Sequence, residues 1–142
     1  MDKVQKTPEL TEKATEKLSK EIQGFEDEIS NFSSGIYVLK NYPIVRKSFT
    51  QMNKAFAETS KKYSTWRLFQ IVFIVSMIPD IAACDRDLMP DDEKVKTHLS
   101  DMALLYFPTG GGKTEAFLGV LVFNLFFDRH RGKSCGVTSI LR

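Results

Sequence analysis

Along the first thirty residues, Leu10, Ala14, Leu18, Ile22, Phe25 and Ile29 recur at steps of three or four. That is the period of one helix face. Lys, Glu, Gln and Thr fill the other positions, so the pattern predicts an amphipathic helix. Thr7 suits its N-cap and Pro8 its first turn, while Gly24 weakens its interior. Such a helix either packs on its own domain or docks a partner, and it is too short for several coiled-coil heptads. The stretch "NFSSGIYVLKNYP" is punctuated by Ser-Ser-Gly and Asn-Tyr-Pro and reads as a connection. Ile44, Val45, Phe49, Met52 and Phe56 then predict a second helix with a core-facing stripe.

A third helix is expected from about Ser64 or Thr65. "TWRLFQIVFIVSMIP" is apolar nearly all round, as a helix buried on most sides should be. The run Leu68 to Ala83 is shorter than the roughly 20 residues of a membrane span, and Gln70, Ser76, Pro79 and Asp80 interrupt it. Arg67 and Gln70 stand three apart on this helix and so share a face. Two polar side chains on a buried face need partners, from the chain or from a ligand.

"DIAACDRDLMPDDEKVKTHLSD" is polar and acidic and reads as a surface loop, with Asp91, Asp92 and Glu93 in a solvated turn. "MALLYF", Met102 to Phe107, is a short apolar run before a Pro-Thr-Gly turn and predicts a buried strand. "KTEAFLGVLVFNLFFDRH" predicts a helix, ended by the basic stretch around Gly132. "GVTSIL", Gly136 to Leu141, is β-branched and predicts a second strand. Strand, loop, helix and strand make a βαβ unit, so the expected fold class is α/β.

Composition narrows the picture without changing it. An apolar share of 42% is ordinary for a globular chain, and a net charge of +2 gives no bulk argument for nucleic acid. Cys84 and Cys135 lie far apart and suit two reduced thiols in a cytoplasmic protein. The charged N-terminus lacks the apolar core of a secretory signal, and no membrane partner is expected.

The chemistry concentrates in "FPTGGGKT", Phe107 to Thr114. Glycines without Cβ let a chain wrap a polyphosphate with its N–H groups turned inward. The helix that follows adds the positive end of its dipole. Lys113 is placed to reach the β and γ phosphates, and the hydroxyl of Thr114 to take a position on Mg²⁺. The general P-loop pattern puts glycine six residues before the lysine, where this chain has Phe107.

That departure narrows the resemblance. "FPTGGGKTEA" resembles motif I of superfamily 2 helicases and translocases, many of which lack the first glycine. These proteins often carry Arg-x-x-Gln on an upstream helix, where the glutamine meets adenine; "WRLFQIVFI" supplies Arg67 and Gln70 in that order. From Phe49 to Arg142 the chain is similar to the N-terminal part of large bacterial helicase-like proteins, nearest to the helicase-like component of DISARM-type phage defence. The resemblance implies an N-terminal helical region, 1–62, followed by the beginning of a RecA-like ATP-binding domain, 63–142, with its first βαβ unit. It implies ATP and Mg²⁺ as cofactors, bound by Thr109, Gly110, Gly111, Gly112, Lys113 and Thr114 at the phosphates and metal and by Gln70 and Arg67 at the adenine. It implies DNA as the partner of the longer parent, alongside other defence-system subunits, with Arg142 opening an element that touches the nucleic acid backbone.

Hydrolysis in such proteins needs an Asp-Glu-x-x motif and the arginines of a second lobe. After Thr114 the only acids are Glu115, which suits the helix N-terminus, and Asp128. The expectation is therefore a truncated ATP-binding portion with no catalytic residue of its own. The other function this sequence admits is a helical interaction module with a non-functional P-loop remnant.

Overall fold

The computed structural model describes residues 8–59, 65–89, 92–100 and 111–133, with side chains from Glu12 onward. Four helices are described: α1 (Pro8–Asn41), α2 (Pro43–Thr59), α3 (Leu68–Ala83) and α4 (Lys113–His130). The chain forms two compact units, Met1–Ser30 and Asn31–Arg142.

In the first unit, α1 begins at Pro8, where proline's fixed φ and missing N–H cost nothing. Every described side chain from Glu12 to Ser30 is exposed. Local pairs support it, among them Lys20 on Glu16 at 3.2 Å and Lys17 on Glu21 at 3.8 Å. Such exposed pairs contribute little each, about 0.3–0.5 kcal/mol.

The second unit holds the core. Helix α1 runs unbroken through the Ser-Ser-Gly stretch that reads as a connection in the sequence, and only Tyr42 separates it from α2. Packing explains why. Val38 and Leu39 are buried. A Cβ on Gly35 would lie 2.7 Å from Val75 Cγ1 and 2.8 Å from the Val75 carbonyl carbon, and would overlap the carbonyl oxygen. Glycine is present because α1 approaches α3 too closely for any side chain, and the packing outweighs its helix penalty of about 1 kcal/mol.

Helix α2 buries Val45, Ser48 and Met52, and the Ser48 hydroxyl is satisfied by the Ile44 carbonyl at 2.8 Å. Helix α3 buries Ile74, Val75, Ile78, Pro79 and Ala82. Helix α4 buries Ala116, Gly119, Phe123 and Phe127, one face at helical spacing, and packs against both α2 and α3. The Phe123 and Phe127 rings lie nearly parallel with centroids 5.8 Å apart, both fully buried. Each such ring contributes about 1.5–3 kcal/mol by leaving water. Trp66, just before α3, stacks on Phe56 of α2 at 3.7 Å and donates its indole N–H to Asn53 Oδ1 at 2.8 Å.

Helix α4 stops as expected at Gly132, which adopts φ +77°. The N–H groups of Gly132 and Lys133 bond back to the carbonyls of Arg129 and Asp128 at 3.1 and 2.9 Å. That double closure satisfies two carbonyls the helix end would leave unpaired.

The α/β fold class is corrected. The described residues form four helices and no strand, so no βαβ unit is present among them, and their core is built by helix on helix. A six-residue apolar run does not separate strand from other buried structure by periodicity. The two runs read as strands, 102–107 and 136–141, lie outside the described residues. Among the described residues no helix is long and apolar enough to cross a membrane.

Candidate functional site

Arg67 is the N-cap of α3, with extended backbone at φ −72° and ψ 152°. Gln70 sits three residues on, and its Oε1 accepts the Arg67 backbone N–H at 2.9 Å. A side chain at that position closing on the N-cap amide is one half of a capping box, which fixes the glutamine at the start of the helix.

The other end of the amide points at α4. Gln70 Nε2 donates to the Gly112 carbonyl at 2.8 Å, and Arg67 Nη1 donates to the Gly111 carbonyl at 2.6 Å. Gln70 is only 3% exposed, so both halves of its amide are satisfied where an unpaired one would be costly. Of the two polar residues expected on a buried face, only Gln70 is buried and Arg67 is exposed; the partners of both are in the chain itself, at the glycine loop.

Gly112 is the N-cap of α4 and adopts φ +93°, a conformation that favours glycine. A Cβ there would lie 2.7 Å from Gln70 Nε2 and 3.4 Å from Glu115 Oε2. Glycine is needed for the turn and for the close approach of Gln70. With no side chain at the N-cap, none caps the first amides of α4. In a trans peptide C=O and N–H point in opposite directions. Holding the Gly111 and Gly112 carbonyls toward α3 therefore turns the N–H groups of Gly112 and Lys113 the other way. Lys113 is half-buried and opens α4, and Thr114 beside it is exposed. Glu115 lies in the first turn, where a carboxylate suits the positive end of the helix.

The structure thus brings together Arg67, Gln70, Gly111, Gly112 and Lys113, with Thr114 adjoining. Thr109, Gly110 and Arg142 lie outside the described residues.

Two polar clusters went unforeseen in the sequence. Arg131, at the end of α4, donates from Nη1 to Asp85 at 2.7 Å and from Nη2 to Asp128, with its guanidinium 4.4 Å from the Phe127 ring centroid. The Arg131 side chain is 8% exposed, and its Nε has no hydrogen-bond partner. The Arg131 hydrogen bond holds the Asp85 carboxyl below its usual range, against the opposing effect of burial, with help from the Leu88 and Asp87 amides. The second cluster joins Asp80 of α3, which accepts the His98 backbone N–H at 2.5 Å, to Asn31 of α1, 2.9 Å from His98 Nε2. Asp128 and Arg131 stand at i, i+3, which was the available signal for the first cluster. Nothing local announces the second. Asp92, read as part of a solvated turn, accepts the Tyr42 hydroxyl at 3.0 Å and the Lys94 amide at 3.0 Å.

Comparison with known proteins gives one curated relative to set beside this geometry. The DISARM protein DrmA of Bacillus paralicheniformis (strain ATCC 9945a / NCIMB 11709 / CD-2) is 41% identical over 69 residues, covering 49% of this chain and 5% of that protein. The chain therefore matches a small part of that relative's length. No protein-family model matches, and no solved structure matches.

Proposed function

We propose that this chain supplies the ATP-gripping segment of a helicase-like protein of phage defence. The similarity to a DISARM protein supports the defence role. The observation that carries the nucleotide reading is the pair of hydrogen bonds from Arg67 and Gln70 to the carbonyls of Gly111 and Gly112. They orient the glycine loop so that amide N–H groups and the start of α4 face away from α3, an arrangement suited to anionic oxygens.

In this reading Thr109, Gly110, Gly111, Gly112 and Lys113 hold the triphosphate, and Thr114 takes a place on Mg²⁺. Mg²⁺ would supply charge neutralisation between the phosphates. The adenine lies beside Gln70 and Arg67, of which Arg67 is the exposed one. Movement on DNA, with Arg142 meeting the backbone, belongs to a longer parent protein.

The test is calorimetric titration of the chain with ATP and Mg²⁺. Lys113→Ala should abolish the binding heat while the Trp66 fluorescence of the fold is retained. Absence of binding in the unaltered chain, or equal binding by Lys113→Ala, refutes the proposal.

A further inference from the structure

The first unit carries a feature that the nucleotide site does not use. Leu18, Ile22, Phe25 and Ile29 are 57%, 52%, 63% and 51% exposed. At about 100° per residue they fall within an arc of about 60°, a continuous stripe along three turns of α1. Four large apolar side chains in one line are more than scattered surface hydrophobics and mark an interaction face.

Charge decides the occupant. Glu21 and Glu28 lie on one side of the stripe and Glu26 on the other, each within about 90° of its centre. Lys13 and Lys20 fall on the opposite face, and Lys17 lies behind Glu21, farther from the stripe than any of the three glutamates, with its Nζ 3.8 Å from Glu21. The seam is therefore apolar with acidic margins. A second copy fits poorly. Parallel pairing sets Glu21 against Glu26 of the copy, and antiparallel pairing sets Glu21 against Glu28, like charges in both cases. An anionic membrane fits poorly too, because interfacial helices carry Lys and Arg beside their apolar face.

We infer that this stripe docks a helix of another polypeptide whose apolar seam is flanked by lysine or arginine. Apolar contact supplies the binding and the acidic margins select the partner and its register.

The test uses the full chain and two synthetic three-heptad helices with Leu and Ile at the seam, one flanked by Lys and the other by Glu. Fluorescence anisotropy should show the Lys-flanked peptide binding at least about tenfold more tightly, with a preference that shrinks as salt rises. Phe25→Glu should weaken that binding by at least about tenfold. The triple variant Glu21→Lys, Glu26→Lys, Glu28→Lys should reverse the preference between the peptides. Any of these results overturns the inference: equal binding of both peptides, an unreversed preference in the triple variant, or sedimentation showing self-association through the stripe that Phe25→Glu abolishes. Comparable binding to phosphatidylglycerol vesicles overturns it as well. Since Lys113→Ala leaves the stripe intact, it should not affect peptide binding, which separates this inference from the nucleotide reading.

Discussion

Gly35→Ala sets two physical rules against each other, and the structure decides the sign. Propensity alone favours the change, because alanine is better than glycine inside a helix by about 1 kcal/mol. Packing opposes it. The added methyl would lie 2.7 Å from Val75 Cγ1 and 2.8 Å from the Val75 carbonyl carbon, where about 3.5–4.0 Å is comfortable. A backbone group of α3 cannot swing aside, so α1 must retreat and loosen Val38 and Leu39 from the core. Overpacking of this kind costs up to about 3 kcal/mol. Less the propensity gain of about 1 kcal/mol, the net loss is about 2 kcal/mol. Urea unfolding followed by the fluorescence of Trp66, the single tryptophan, reads this directly. With a slope near 2 kcal/mol per molar, the midpoint should fall by about 1 M. Gly24→Ala is the control: the same residue in the same helix, with nothing within 4 Å of an added Cβ. It should raise helical circular dichroism and leave the Trp66 midpoint in place. A midpoint that rises in Gly35→Ala would refute the close approach of α1 to α3.

Gly112→Ala should weaken ATP binding and cost about 1–2 kcal/mol of stability, because φ is +93° and the methyl would press on Gln70 Nε2; calorimetry and urea unfolding together check both effects. Arg131→Met should destabilise by about 3 kcal/mol in urea, since it strands Asp85 and Asp128 without their buried counter-charge. Because the folded Asp85 carboxyl titrates below its unfolded value, its contribution is present above about pH 3.9 and is lost as pH falls through the folded value. Asp85→Asn should therefore flatten the acid limb of a stability-against-pH curve below about pH 4, and an unchanged limb would exclude the Asp85–Arg131 pair as its source.

The helices were legible where one face alternates with another. The stripe of Val45 and Met52, the apolar run Leu68–Ala83 and the glycine stop at Gly132 all follow from spacing and from backbone chemistry. What misled was punctuation without context. Ser33, Ser34 and Gly35 look like a break, yet the chain stays helical because small residues are what a tight helix crossing needs. Local preference of about 1 kcal/mol yields to packing worth several. The α/β reading rested on two short runs, neither long enough for its period to speak.

At the candidate site the sequence identified residue types but not their partners. A glutamine three places after an arginine on an apolar helix signalled a demand for hydrogen bonds, and only the fold shows that the glycine loop meets it. This changes how the two elements relate. If Gln70 served only a ligand, its loss would weaken that ligand and leave the loop alone. Because its amide joins the Arg67 N–H to the Gly112 carbonyl, it links the N-termini of α3 and α4. Gln70→Ala should then lower stability by about 2–3 kcal/mol without any nucleotide present, from two lost hydrogen bonds and buried groups left unpaired. The same variant should weaken ATP binding through misorientation of the loop, so GTP should lose affinity alongside ATP. Selective loss of ATP binding, with urea stability unchanged, would place Gln70 at the adenine alone and refute its role as the brace of the loop.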